Sequence, residues 1–248
     1  MSTDPATLLV EARGVVEEAD RAGLRLRLLG GVAIKLRCPS SAAAPFARVS
    51  SDADYAASGP AAPLEAFFSA RGFVPDREFN LYNGHERLLF TSPSGVKTDV
   101  FVGAFKMCHQ IPFDNRLALD PLSLPLAELI LTKLQVVEAN EKDLSDAACI
   151  LADHEVGTGD GDTLNAGRVA ELCAADWGLW RTTCLGLEKL LAWTTGAALG
   201  DAARARVAAG AAALADRLAA EPKPLAWRLR AAVGDRVRWY EIPEEAER

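Results

Sequence analysis

Leu8, Leu9, Ala12, Val15, Val16 and Ala19 recur at helical spacing. Asp4 supplies a cap, Pro5 suits the first turn and Gly23 supplies a stop, so a first helix is expected between them. Leu24-Arg25-Leu26-Arg27-Leu28 alternates strictly, the pattern of a half-buried strand. Gly30-Gly31 then turns the chain into a short helix over 32–36, followed by a Pro/Ser/Ala loop over 38–47. A second strand is expected near 50–55 and a helix near 63–71. Next comes a meander: a strand over 79–82, a hairpin turn at Asn83-Gly84, a return over 86–91, a turn over 92–95 and a last strand over 96–102. From Leu124 onward the pattern is helical throughout, with helices near 124–138, 141–153, 163–176, 178–194, 201–219 and 224–232.

This order predicts an α+β protein: a mixed-sheet α/β domain over residues 1–120 and an all-helical domain over 121–248. With 248 residues, half of them apolar and a quarter charged, the chain can bury a core without staples. No apolar run approaches the roughly 18 residues of a membrane span. Met-Ser-Thr-Asp-Pro has neither the basic nor the apolar region of a signal peptide, so a cytoplasmic location and no membrane partner are expected. The five cysteines are odd in number and lack the close spacing of a zinc site, which reads as reduced thiols. A net charge of −7 argues against coating nucleic acid by bulk charge. Residues 201–238 hold eight Lys/Arg against four Asp/Glu and form the one basic region, read by default as a solvated helical face.

Candidate chemistry starts at Asp52 and Asp54. At i, i+2 in a strand they share a face, and two such anions repel unless a cation lies between them. Asp99 lies on the Lys97/Asp99/Phe101 face of the last strand and can join them if the strands are neighbours. Three carboxylates make a hard oxygen site suited to Mg²⁺, and two such ions can clamp a triphosphate. Solvated D-x-D strands are nonetheless common. Gly30-Gly31 between strand and helix lets backbone approach a phosphate, although it also suits an ordinary turn.

Lys133 sits among Leu126, Leu129, Ile130 and Val137, about 140° round the helix from a polar stripe of Glu128, Thr132 and Gln135. It must therefore be ion-paired, snorkel, or face a polar cleft. Asn140 and Asp143 can form a capping box, and Lys142 and Asp146 a surface pair. His109 is within reach of the Asp99 strand, whereas His85 is expected on the surface. Trp177 and Trp180 read as helical core, with a base platform as the less favoured use.

Together these pieces resemble the nucleotidyltransferase superfamily of the DNA polymerase β-like fold. The pattern is Leu28-Leu29-Gly30-Gly31-Val32-Ala33, then Ser51-Asp52-Ala53-Asp54-Tyr55, then Thr98-Asp99-Val100-Phe101. It is similar in particular to AbiEii/MenT-type bacterial enzymes, through Arg48 ahead of D-x-D, Thr132-Lys133-Leu134, and Lys142-Asp143-Leu144-Ser145-Asp146. Gly31 departs from the commoner Gly-Ser turn. The resemblance spans about residues 28–151 and implies a nucleotidyltransferase domain followed by the helical one. It implies Asp52, Asp54 and Asp99 as metal ligands for Mg²⁺, and Gly30, Gly31, Arg48, Lys133 and Lys142 at the nucleotide. Asp52, Asp54, Asp99, Lys133 and Asp143 would serve catalysis. The implied activity moves a nucleoside monophosphate from a nucleoside triphosphate to a hydroxyl of tRNA or of a small molecule. A toxin-type enzyme with an antitoxin partner would fit, and a non-catalytic nucleotide-binding module is the alternative.

Overall fold

A computed structural model describes residues 5–242 of the chain. Asp4, expected to cap the first helix, lies outside the described residues. α1 (Pro5–Arg21) leads into β1 (Leu26–Leu29), α2 (Gly30–Arg37) and a 3-10 turn at Pro39–Ala42. β2 (Asp52–Ala57), α3 (Ala61–Ser69), β3 (Val74–Pro75), α4 (Arg77–Asn83), β4 (Arg87–Thr91) and β5 (Lys97–Val102) follow. The five strands form one mixed sheet in the order β1-β2-β5-β4-β3, in which β2 and β5 run parallel and the other pairs antiparallel.

The sheet has two unlike faces. Leu28, Tyr55, Val100 and Phe90 lie on one face, where α3 inserts Phe68. The Phe68 ring stacks on Phe90 at 4.7 Å and meets Tyr55 and Phe73 edge-on. The apolar stripe of α1 (Leu8, Ala12, Val16, Ala19) is buried beside β1. The other face carries Asp54, Asp99 and Arg87. β1 departs from the half-buried expectation, because all four of its residues are buried. Arg27 is accommodated by Asp20 at 2.9 Å and by the Asp120 carbonyl at 2.6 Å. The far side of β1 is covered by residues 122–124: Leu28 donates to the Leu122 carbonyl and accepts from Leu124.

The meander differs from expectation. Residues 79–82 belong to α4, and Asn83-Gly84 closes that helix rather than a hairpin. Asp76 caps α4 by accepting from the Phe79 amide, and Asn80 clasps both backbone groups of Leu89. That side-chain pairing takes the place of the ladder that a strand over 79–82 would have made. The strand over 97–102 is also not the last. β6 (Ala104–Lys106) and β7 (Gln110–Pro112) form a small hairpin, and β8 (Val156–Gly157) and β9 (Leu164–Asn165) a two-residue parallel pair.

α5 (Leu126–Leu134), α6 (Glu141–Asp153), α7 (Ala166–Ala175), α8 (Trp177–Gly196) and α9 (Asp201–Ala220) pack on one another, and α10 (Leu225–Val233) lies against α8. The polar stripe of α5 is turned inward. Glu128 is fully buried and takes two hydrogen bonds from Arg116 and one from Arg168. Trp177 meets Trp239 edge-on, and Trp180 meets Trp227 in the same way. The chain is thus a mixed α+β fold, a mixed sheet followed by helices. No helix of the described residues is long and apolar enough to cross a membrane.

Candidate active site

The turn from β1 into α2 explains both glycines. Gly30 has φ +66°, a left-handed conformation that side chains resist. A Cβ there would also lie 2.0 Å from the Asp54 carboxylate, because Leu29 is the register partner of Asp54. At Gly31 a Cβ would lie 2.3 Å from the Arg48 guanidinium. Bare backbone is thus pressed between an acid and a base. The N-cap residue of α2, Leu29, makes no side-chain cap, and an uncapped helix start favours an anion.

Asp54 and Asp99 are register partners on the parallel pair β2/β5, and so share one face of the sheet. Asp52 lies two residues before Asp54 on that face and is exposed. The Asp54 carboxyl is pushed up to about 8, first by burial and then by the charges of Asp99 and Asp52. Without a cation between them, these acids favour a proton on Asp54. Arg87 of β4 forms an ion pair with Asp99. The three aspartates are aligned but not gathered: among the described residues, the trio with donor atoms within 4.8 Å of one another is Cys38, Cys149 and Asp153.

Opposed charges from the helices complete the site. Arg48 grips Asp146 with two hydrogen bonds, Nε to Oδ1 at 2.9 Å and Nη2 to Oδ2 at 2.5 Å. Lys133 reaches Asp146 at 3.0 Å and Asp143 at 3.2 Å. Burial alone would push the Asp146 carboxyl up; Lys133 and Arg48 outweigh it and hold the group below its usual range. Burial likewise opposes the charge on Lys133, and Asp146 and Asp143 restore it. Of the options for Lys133, the structure realises the buried ion pair. Asp143 is also the third residue of α6, in a complete capping box with Asn140.

Asp146 does not form the surface pair with Lys142, since it turns inward while Lys142 stays exposed. His109 is buried against the helices instead of the acids: its Nε2 lies 2.8 Å from the Thr182 hydroxyl, which also accepts from Trp239. His85 is exposed. Two neighbours of the site escaped the sequence reading. Arg87 did so because it lies on the expected strand over 86–91 but outside every motif read there, and only its pairing with β5 brings it to Asp99. Lys35 stands one helical turn after Gly31 on α2, where burial and then the Arg48 charge lower its pKa. Its spacing from Gly31 was the one signal available.

No family model matches the chain, and no curated protein matches it. Among solved structures it is similar to the crystal structure of an antigenic nucleotidyltransferase-like protein from Paracoccidioides brasiliensis. The identity is 13% over 74% of this chain and 94% of that chain, with a TM-score of 0.40.

Proposed function

We propose that the chain is a nucleotidyltransferase, moving a nucleoside monophosphate from a nucleoside triphosphate to an acceptor hydroxyl with release of pyrophosphate. The observation that carries this reading is the register pair Asp54–Asp99 beside a glycine turn that only bare backbone can occupy. The donor set fits Mg²⁺ by its chemistry: Asp52, Asp54 and Asp99 offer hard carboxylate oxygens, with Asp54 and Asp99 side by side in register. Bound there, Mg²⁺ supplies charge neutralisation at the phosphates.

The chain's own residues do the rest. The amides of the Gly30-Gly31 turn and the N-terminus of α2 receive phosphate oxygens. Arg48 and Lys133 exchange carboxylate partners for phosphate, and Asp143 and Asp146 hold both cations in place until then. Asp99, released from Arg87, accepts the proton of the attacking hydroxyl. Lys142, exposed at the start of α6, is a further candidate for nucleotide contact.

One observation favours a second reading. Asp99, Lys133 and Arg48 are each neutralised by a partner within the protein. A module that binds nucleotide without transferring it would keep such pairs closed. The acceptor separates a toxin-type enzyme acting on tRNA, with an antitoxin partner, from an enzyme acting on a small molecule. The basic residues of α9 and α10 suit RNA, and the acidic whole suits a small acceptor.

The test is incubation with each labelled triphosphate, Mg²⁺, and either total tRNA or hydroxylated small molecules. Label should move to an acceptor with the wild type and not with Asp99→Ala. Mg²⁺-dependent binding with no transfer to any acceptor decides for the second reading. Absence of binding overturns both.

A further inference from the structure

α2 and α6 approach each other in two places. Near the start of α6 lie the charges of the cleft; at the far ends the chemistry is of another kind. Cys38 follows α2 directly, Cys149 lies near the end of α6, and Asp153 is the last residue of α6. Both thiol sulfurs and a carboxylate oxygen of Asp153 lie within 4.8 Å of one another. The cysteines are 0% and 1% exposed.

We propose that Cys38, Cys149 and Asp153 form a binding site for a thiophilic divalent cation, with Zn²⁺ the best-fitting ion. Zinc bonds of about 2.3 Å to sulfur and about 2.0–2.2 Å to oxygen set tetrahedral donors roughly 3.5–3.8 Å apart, inside the spread found here. Two thiolates favour a borderline-soft metal over Mg²⁺ or Ca²⁺. The remaining coordination position belongs to water in zinc sites with three protein ligands.

The surroundings are built as a metal's outer shell is built. Asp153 is held in orientation by Ser40, whose amide donates to Oδ2 at 2.9 Å and whose hydroxyl donates to Oδ1 at 2.5 Å. His154, the next residue, places Nδ1 2.9 Å from the Asp162 carbonyl and Nε2 3.0 Å from the Arg37 carbonyl. These two contacts tie the residue after α6 to Arg37 at the end of α2 and to Asp162, and so fix the backbone that presents Asp153 to the sulfurs.

Sequence spacing concealed the site, because Cys38 and Cys149 are separated by most of the sheet and meet only when α2 packs on α6. The proposal is independent of the nucleotidyl-transfer reading.

The full-length protein, reduced and dialysed against chelator, is titrated with Co²⁺ as a spectroscopic stand-in for zinc. The expected result is one ion per chain, a thiolate-to-cobalt charge-transfer band, and displacement by one equivalent of Zn²⁺. Cys38→Ser should abolish the band, and Asp153→Asn should weaken Co²⁺ binding at least tenfold. Cys184→Ser, outside the cluster, should leave both unchanged. Asp153→Asn keeps both thiols in the core, so it decides the matter if the serine variant does not fold. A spectrum without thiolate character, an unchanged affinity in Asp153→Asn, or a Cys38–Cys149 disulfide whose reduction restores no metal uptake would overturn the proposal.

Discussion

Arg48 and Asp146 join the segment before β2 to the middle of α6 through two parallel hydrogen bonds, and Lys133 shares the same carboxylate. Removing that carboxylate leaves Arg48 without its forked partner and Lys133 with Asp143 alone. Asp146→Ala should destabilise the fold by about 3–5 kcal/mol in denaturant unfolding. Arg48→Lys, which keeps the charge and loses the fork, should cost much less. A loss under about 1 kcal/mol for Asp146→Ala would show the cluster to be solvated.

The same carboxylate sets an acid dependence. The folded value of Asp146 lies below the unfolded one, so its stabilisation is present above the ordinary aspartate range and is lost as pH falls through the folded value. Wild type should therefore lose more melting temperature than Asp146→Asn on acidification from about pH 6 to 3. Parallel curves for the two proteins would contradict the assignment.

Asp54 should trade stability for function. Its carboxyl is crowded by burial and by two like charges. Asp54→Asn should raise the melting temperature of the metal-free protein at neutral pH by about 2–4 °C, the equivalent of ~1 kcal/mol in a chain of this size. It should also abolish Mg²⁺-dependent triphosphate binding in calorimetric titration. A destabilised variant with intact binding would reverse the argument.

Gly30 and Gly14 give a paired test. Gly30→Ala meets both a left-handed backbone and the Asp54 carboxylate, and should cost at least about 1–3 kcal/mol and nucleotide affinity together. Gly14→Ala, inside α1 with nothing within 4 Å of the added methyl, should gain up to about 1 kcal/mol. Chemical denaturation of both proteins provides the measure.

Glu128→Ala should be among the most damaging changes to the helical part, by about 3–5 kcal/mol, because it leaves Arg116 and Arg168 without their fully buried partner. Unfolding curves will show it without any functional assay.

How far these features were legible in the sequence differs case by case. That Asp52 and Asp54 share a face follows from period two alone, whereas Asp99 joins them only through the β2/β5 pairing and its register. The capping box at Asn140 is equally local. Glu128 illustrates the limit: a helical wheel separates polar from apolar positions but cannot tell solvent from two buried arginines. Asn83-Gly84 shows another, since a strong hairpin signal yielded to an Asp76 cap and to the Asn80 clasp on Leu89. Cys38 and Cys149 mark the furthest limit, because nothing short of the packing of α2 on α6 brings them together.

The strip of backbone at residues 122–124 has a further consequence. By bonding both sides of Leu28 it closes the β1 edge of the sheet. The opposite edge is β3, two residues long and carrying Pro75, which has no amide to donate. A foreign strand thus finds neither margin open for templating, and the five-stranded sheet is guarded against polymerising through its rims. Loosening the 122–124 strip, rather than mutating the core, is the change expected to turn this protein towards fibrils.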